Sequence, residues 1–129
     1  MITNLSHTVL FVDDQDKALE FYKDTLGFKV LEDHDTGEFR WLAVAPTDEN
    51  SGVLVLFKAM SPEQTALVGK QAIGLPFFAL ATDNCKAEYE KLKKAGVTFY
   101  GEPETQPWGT AVIMQDLYGN LIYLIETKK

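Results

Sequence analysis

The chain has 129 residues, 46% hydrophobic and 12% aromatic, and its 12 Lys and Arg against 19 Asp and Glu give a formal charge of −7. This length and apolar content suit one folded domain and exclude a disordered chain. The acidic balance argues against a nucleic-acid or anionic-membrane partner. No apolar run approaches the ~20 residues of a membrane span. The first residues lack a secretory signal and the single cysteine forbids an internal disulfide, so we expect a cytoplasmic protein.

The first half of the chain predicts one strand, one helix and three further strands. An apolar run over 5–12 ends at a cluster of acidic residues, and apolar side chains then recur at spacings of three and four. This spacing predicts a helix over 14–26, which Gly27 ends. Three strands joined by hairpins follow, over 28–32, 39–45 and 53–57, with a turn at 34–37 and a polar loop at 46–51.

The second half begins after a short helix that Ser61 and Pro62 start and that runs to about Val68. A strand over 76–81 then leads to a helix over 85–95. Later strands are predicted at 111–115 and 122–124.

The two halves repeat each other. A shift of 69 residues superimposes Asp14 on Asp83 (83 − 14 = 69) and Gly27 on Gly96, without a gap. We therefore predict an α+β fold of two tandem βαβββ modules, about 4–59 and 73–127, within a single domain 1–129. One helix covers only one face of each mixed, curved sheet, so the other face is expected to form a cleft, within the chain or across a dimer.

Several short segments carry a family resemblance. They are His7 in the first strand, Ala18-Leu19-Glu20-Phe21-Tyr22 and Leu26-Gly27-Phe28 around the first helix, and Asp116-Leu117-Tyr118-Gly119-Asn120 before the last strand. With these, nearly the whole chain resembles the vicinal oxygen chelate superfamily, which includes glyoxalase I, bleomycin-resistance proteins, fosfomycin-resistance enzymes and extradiol dioxygenases. The resemblance implies the two-module fold and a homodimer, because members of this length usually pair.

The resemblance also assigns metal positions. The metal enzymes of the family hold one divalent ion with four strand positions, usually His, Glu, His or Gln, and Glu. His7 falls on the first, Pro76 on the third and Tyr123 on the fourth, and the second lies in the strand at 52–57, which has no metal-binding side chain on its inward face. Glu126 has the opposite strand parity to Tyr123 and should face away. One imidazole and one phenol are too few donors for a divalent metal, so we expect no metal cofactor.

Alternation along the strands predicts an apolar and aromatic cleft. Its predicted lining is His7, Val9, Phe11, Phe39, Trp41, Val53, Val55, Phe57, Pro76, Phe78, Leu80, Leu121 and Tyr123, with Arg40 or Trp108 at the rim. Such a lining suits a flat hydrophobic or aromatic ligand, although the same side chains would also serve as a core between the modules. The ligand-binding candidates are His7, Val9, Phe39, Trp41, Val55, Phe57, Phe78, Trp108 and Tyr123.

Some single residues allow two interpretations. His7 is either a general base or a hydrogen-bonding residue of the pocket. Trp108, in a Pro- and Gly-rich loop predicted over 101–109, is either a lid over the cleft or a plug at one end of the sheet. Cys85 is predicted to pack in the core, and His34 to lie exposed in a turn.

We expect a metal-independent protein of the bleomycin-resistance type, which binds a small hydrophobic or aromatic molecule and is not an enzyme. The alternatives are a metal-dependent lyase similar to lactoylglutathione lyase, a dioxygenase, and a dimeric structural module without a ligand. An enzyme requires at least two more carboxylate, His or Gln side chains near His7, whereas a binding protein requires an open cleft.

Overall fold

The computed structural model describes residues 1–47 and 52–127. The chain divides into two compact units, Met1–Val68 and Gly69–Lys129, and each contains one four-stranded sheet. The predicted polar loop over 46–51 lies outside the described residues from position 48 onward. Within the described ranges, no helix combines the length and the apolar character needed to cross a bilayer.

The first unit has the predicted order of strand, helix and three strands. Its elements are β1 (His7–Val12), α1 (Gln15–Leu19) with a π-helical continuation (Glu20–Thr25), β2 (Lys29–Asp35), β3 (Arg40–Ala45), β4 (Val53–Lys58) and the short helix α2 (Pro62–Ala66). The strand order in the sheet is β1-β4-β3-β2. β1 runs parallel to β4, and the other neighbours are antiparallel.

The second unit repeats this architecture. Its elements are β5 (Pro76–Ala81), α3 (Cys85–Lys94), β6 (Phe99–Gln106), β7 (Gly109–Gln115) and β8 (Leu121–Thr127). The strand order is β5-β8-β7-β6, again with one parallel pair, β5 and β8. The predicted fold of two tandem βαβββ modules is thus confirmed.

The helix of each unit packs on one face of its sheet and closes a core there. In the second unit this core contains Cys85, Tyr89, Val112 and Leu124, with Leu80 and Phe99 packed against it. Cys85 is fully buried, as predicted, and burial is the main reason that the pKa of its thiol is raised. In the first unit the fully buried side chains include Leu10, Val12, Ala18, Tyr22, Leu42 and Leu56.

The structure corrects the predicted alignment of the two halves by one residue. Asp14 caps the first helix, but the second is capped by Asn84 and not by Asp83. The caps are therefore 70 residues apart (84 − 14 = 70), while the glycines that follow the helices, Gly27 and Gly96, are 69 apart (96 − 27 = 69). Both glycines adopt the left-handed conformation that ends a helix, at φ 84° and 96°.

The π-helical segment Glu20–Thr25 explains this difference. Near its end the N–H of Leu26 donates to the carbonyl of Phe21, five residues earlier, at 3.0 Å. The hydrogen bond of a π-helical turn spans five residues, one more than that of an α-helical turn. The first helix therefore accommodates its extra residue without moving the glycine that ends it.

The predicted loop over 101–109 is wrong, because its first part belongs to strand β6. The pairing of β6 with β7 shifts register between Tyr100 and Glu104, and this irregularity takes up Gly101 and Pro103. β6 is also an edge strand, where a proline without an N–H is tolerated. The turn that remains is only Pro107 and Trp108.

Gln15 connects the first helix to the sheet. Its side-chain Nε2 donates to the carbonyl oxygens of Arg40 and Leu56, both at 2.9 Å. Among the described residues, the register between β3 and β4 comprises the pairs Ala43–Val55 and Val44–Leu54. The amide thus satisfies carbonyls that lie beyond this short ladder.

We expect Gln15→Ala to lower the free energy of unfolding by about 2 kcal/mol, because two carbonyls lose their donor, one of them in a buried bond. Urea denaturation followed by circular dichroism measures this change. Lys23→Ala, on the exposed side of the same helical segment, is the control and should stay within about 0.5 kcal/mol of the original protein. Equal losses in the two variants would show that the amide has no special role.

Candidate functional site

The face of the first sheet opposite the helix carries the predicted cleft residues of that unit. Neighbouring residues of paired strands share a face, and β1 and β4 contribute three such pairs to it: His7 with Val53, Val9 with Val55, and Phe11 with Phe57. Trp41 and Ala43 of β3 lie on the same face, since Ala43 pairs with Val55. We call this surface the first open face.

Aromatic side chains dominate the first open face. The ring of Phe57 lies 5.8 Å from that of Phe39 and 6.5 Å from that of Phe11, between centroids. The ring of Trp41 lies 6.3 Å from the imidazole of His7. Val9 is 45% exposed and Val55 is fully buried, so Val55 forms part of the floor and offers no surface.

The strand β2 adds polar groups that sequence reasoning missed. Glu32 lies beside both Trp41 and His34: its Oε1 accepts from the Trp41 indole N–H at 3.4 Å, and its Oε2 lies 3.5 Å from His34 Nε2. His34 is exposed, as predicted, but it belongs to β2 and not to a turn. His7 Nδ1 lies 2.9 Å from Ser6 Oγ. The available signal was alternation along β2, which places Glu32 and His34 on one face.

Arg40 does not lie at the rim of the predicted cleft. Its neighbour Trp41 is on the first open face, so Arg40 points to the opposite face of the sheet, which the helix covers. There its guanidinium donates to both carboxylate oxygens of Asp33 at 2.8 and 2.9 Å. A third bond, at 2.7 Å, goes to Asp16 of α1. Arg40 thus joins the first helix to the sheet and takes no part in the open face.

This ion pair has a pH signature. The hydrogen bond from Arg40 lowers the pKa of Asp33 below its ordinary value of 3.8. A carboxylate whose pKa is lower in the folded state stabilises the fold at pH values above its unfolded-state pKa. This contribution is lost as the pH falls through the folded-state pKa. Asp33 is partly exposed, so we expect the contribution to be below about 1 kcal/mol. In Arg40→Gln, urea midpoints measured from neutral pH to below pH 3.8 should therefore fall less steeply than in the original protein. Parallel curves would contradict the assignment.

The second sheet also has a face opposite its helix, the second open face. Tyr123 of β8 lies on it beside Ala79 of β5 and Ile113 of β7. A depression of about 220 Å³ is present here. It is lined by Tyr100, Gly101, Glu102, Glu104, Gln106, Trp108, Ala111, Val112, Ile113 and Tyr123. Two of the predicted site residues, Trp108 and Tyr123, thus come together.

The position of Trp108 depends on the glycine that follows it. A side chain at Gly109 would overlap the backbone oxygen of Glu126 on β8. Only glycine allows β7 to start this close to β8, directly after the turn that carries Trp108. The indole is 51% exposed and the ring of Tyr123 is 37% exposed, so both present surface at the depression.

Phe78 and Leu80 lie on the helix-covered face of the second sheet, so their predicted place in the cleft lining is wrong. The pairing of β5 with β8 shifts register between Pro76 and Phe78. After the shift, Phe78 lies opposite the buried Ile122, and Leu80 packs into the core below α3. The irregularity at one residue moves the following side chains to the other face of the sheet. Pro76, before the shift, stays on the second open face opposite Leu121.

The residues at the metal positions implied by the resemblance do not fit a divalent metal. On the first open face the strand neighbours of His7 are Val9 and Val53, and on the second Tyr123 lies between Ala79 and Ile113. Glu126 faces the helix side, as expected, where its Oε1 accepts from the N–H of Cys85 at 2.7 Å. Over residues 1–47 and 52–127 there is no group of three or more His, Cys, Asp or Glu that could hold a metal ion.

The chain is similar over nearly its whole length to known proteins of one superfamily. The model of the Glyoxalase/Bleomycin resistance protein/Dioxygenase superfamily matches residues 4–124. The crystal structure of UcmS2 is 39% identical, with 97% of this chain and 98% of that chain covered and a TM-score of 0.84. TnmS3, an antibiotic binding protein from Streptomyces sp. CB03234, is 34% identical, with 98% of both chains covered and a TM-score of 0.82. A probable lactoylglutathione lyase from Synechocystis sp. is 30% identical, with 95% of both chains covered.

Proposed function

The chain belongs to the Glyoxalase/Bleomycin resistance protein/Dioxygenase superfamily, and we propose that within it this protein binds a small hydrophobic or aromatic molecule. The observation that carries the proposal is the depression on the second open face, where Trp108 and Tyr123 present exposed rings. The similarity of the whole chain to TnmS3, an antibiotic binding protein, supports the same function.

The chemistry of the depression suits a flat ligand. Aromatic side chains bury large areas and stack with ligand rings at little entropic cost. Ala111 and Ile113 supply an apolar floor between the rings. Tyr100 closes one side, with its hydroxyl held by a 2.7 Å hydrogen bond to Gln115 Oε1. A planar molecule can therefore lie against Tyr123, with Trp108 covering it. Of the two roles predicted for Trp108, this arrangement favours the lid over the plug.

Three further features belong to the proposal. Binding proceeds without a metal, because the donors at the implied metal positions are too few. The functional form is a homodimer, in which a second copy covers apolar surface such as the exposed Val9 and Leu31. The protein acts in the cytoplasm, where its single cysteine stays reduced. Native mass spectrometry of protein purified without chelator tests subunit number, metal content and any retained small molecule together.

The two tryptophans allow a direct test of binding, because Trp41 lies on the first open face and Trp108 on the second. The variant Trp41→Phe leaves Trp108 as the only tryptophan, and Trp108→Phe leaves Trp41. Uncharged acridine, which accepts excitation energy from tryptophan, is titrated into each. We expect saturable quenching of Trp108 with a Kd of about 1–100 μM. Quenching that rises linearly without saturation in both variants would contradict the proposal.

A metal-dependent lyase is the second candidate function, because a relative 30% identical is named a probable lactoylglutathione lyase. This function requires a metal bound at His7. Isothermal titration with Ni²⁺ and Zn²⁺, compared between the original protein and His7→Ala, tests it. Stoichiometric binding that His7→Ala abolishes would favour the lyase, whereas equal weak binding in both proteins would leave the binding function as the better account.

A further inference from the structure

The depression on the second open face has a charge as well as a shape. Glu104 pairs with Ala111 of β7 and so lies on this face. Glu102 lines the same depression from the irregular part of β6. None of the described residues that line it is Lys or Arg. Two carboxylates therefore stand beside the rings of Trp108 and Tyr123 without a cation in the lining.

We propose that this depression selects aromatic ligands that carry a positive charge, such as a protonated amine attached to a planar ring. The inference rests on the proposed function and names its ligand class. Stacking on Trp108 and Tyr123 gives affinity for any flat ring, but it does not distinguish charge. The carboxylates attract an ammonium group and repel a carboxylate, and the two ring faces add a cation–π attraction.

The two carboxylates contribute unequally. Glu104 pairs directly with Ala111 and so has a defined place on the second open face, whereas Glu102 lies within the irregular part of β6. We therefore expect Glu104 to be the main determinant of ligand charge.

The two carboxylates also disfavour an anionic ligand. Glutathione carries more carboxylates than ammonium groups at neutral pH, so the depression disfavours a ligand of the lactoylglutathione class. The same two carboxylates favour an aromatic amine.

Three probes with the same ring test the inference: 1-naphthylmethylamine, which is a cation at neutral pH, the uncharged 1-naphthylmethanol, and the anion 1-naphthoate. Each is titrated into ¹⁵N-labelled protein, and the Trp108 indole N–H signal, assigned from Trp108→Phe, reports binding. We expect the amine to bind about ten-fold tighter than the alcohol and the naphthoate to bind most weakly. The difference should shrink at high salt, which screens exposed charges.

Glu104→Gln is the matched variant, since it keeps the shape of the side chain and removes its charge. It should weaken binding of the amine about three- to five-fold and leave the alcohol unchanged, with a smaller effect from Glu102→Gln. Glu90→Gln, an exposed charge on α3 outside the depression, is the control and should change neither Kd.

The outcomes separate the two proposals. Equal affinity for all three probes at the Trp108 signal would overturn the charge selectivity and leave the binding function intact. A Glu104→Gln variant that weakens the amine and the alcohol equally would also overturn it, because the carboxylate would then act through shape. If none of the probes moves the Trp108 signal, the proposed function itself fails at this depression.

Discussion

Replacement of Asp116 by alanine is expected to lower the free energy of unfolding by about 3 kcal/mol. Asp116 is 3% exposed and lies in the turn between β7 and β8. Its Oδ1 accepts from the backbone N–H groups of Tyr118 and Asn120, and its Oδ2 accepts from the Asn120 side chain, all at 2.9 Å. Alanine leaves three donors without this acceptor, two of them in buried bonds. Urea denaturation measures the loss.

Two further variants show whether this loss of stability comes from the hydrogen bonds of the turn. Asp116→Asn keeps one acceptor oxygen but places an amino group opposite the Asn120 amide, so we expect an intermediate loss of about 1–2 kcal/mol. Asp83→Ala, an exposed aspartate before α3, should stay within about 0.5 kcal/mol of the original protein. A similar loss in Asp83→Ala and Asp116→Ala would show that the turn network adds no specific stability.

The hydrogen bonds of Asp116 explain why the family resemblance predicts the fold but does not identify a reaction. The segment from Asp116 to Asn120 closes the hairpin before the last strand through its own side chains. Tyr22, in the other quoted segment, is fully buried between Phe21 and Phe28. These residues are required to form the turn and the core, whatever ligand the sheet faces hold.

The order of elements followed from the sequence because local signals specify it. Asp14 predicts a helix start through its short side chain, and Gly27 a helix end through its left-handed backbone. Two features had no local signal. The π-helical turn over Glu20–Thr25 has the same apolar spacing as an α-helix within the precision of a short window. The strand β6 contains Gly101 and Pro103, which are typical of loops, and only its pairing with β7 shows that it is a strand.

The candidate site was predictable where strands are regular. Alternation placed His7, Val9, Trp41 and Phe57 on one face, and the structure has them there. It failed on β5, because a register shift in the pairing with β8 changes the parity of every later residue and takes Phe78 to the core side. The carboxylates beside Trp108 are not predicted from the sequence for a related reason. They lie on β6, where the sequence predicts a loop, and alternation assigns no face to a loop.

Removal of the Trp108 side chain is expected to weaken acridine binding about 20-fold, because the exposed indole is the largest ring at the depression. Equilibrium dialysis measures this loss without relying on tryptophan emission. The stability of Trp108→Ala should be nearly unchanged, since the residue lies half exposed in a turn.

Comparison with two other residues shows whether the loss comes from ring contact. Tyr123→Phe keeps the ring and should bind within about two-fold of the original protein, whereas Tyr123→Ala should lose about ten-fold. Leu117→Ala, an exposed apolar residue of the same unit that does not line the depression, should have no effect. If Leu117→Ala weakens binding as much as Trp108→Ala, acridine binds to exposed apolar surface in general and not at the depression. If only the ring deletions matter, the second open face is the binding surface.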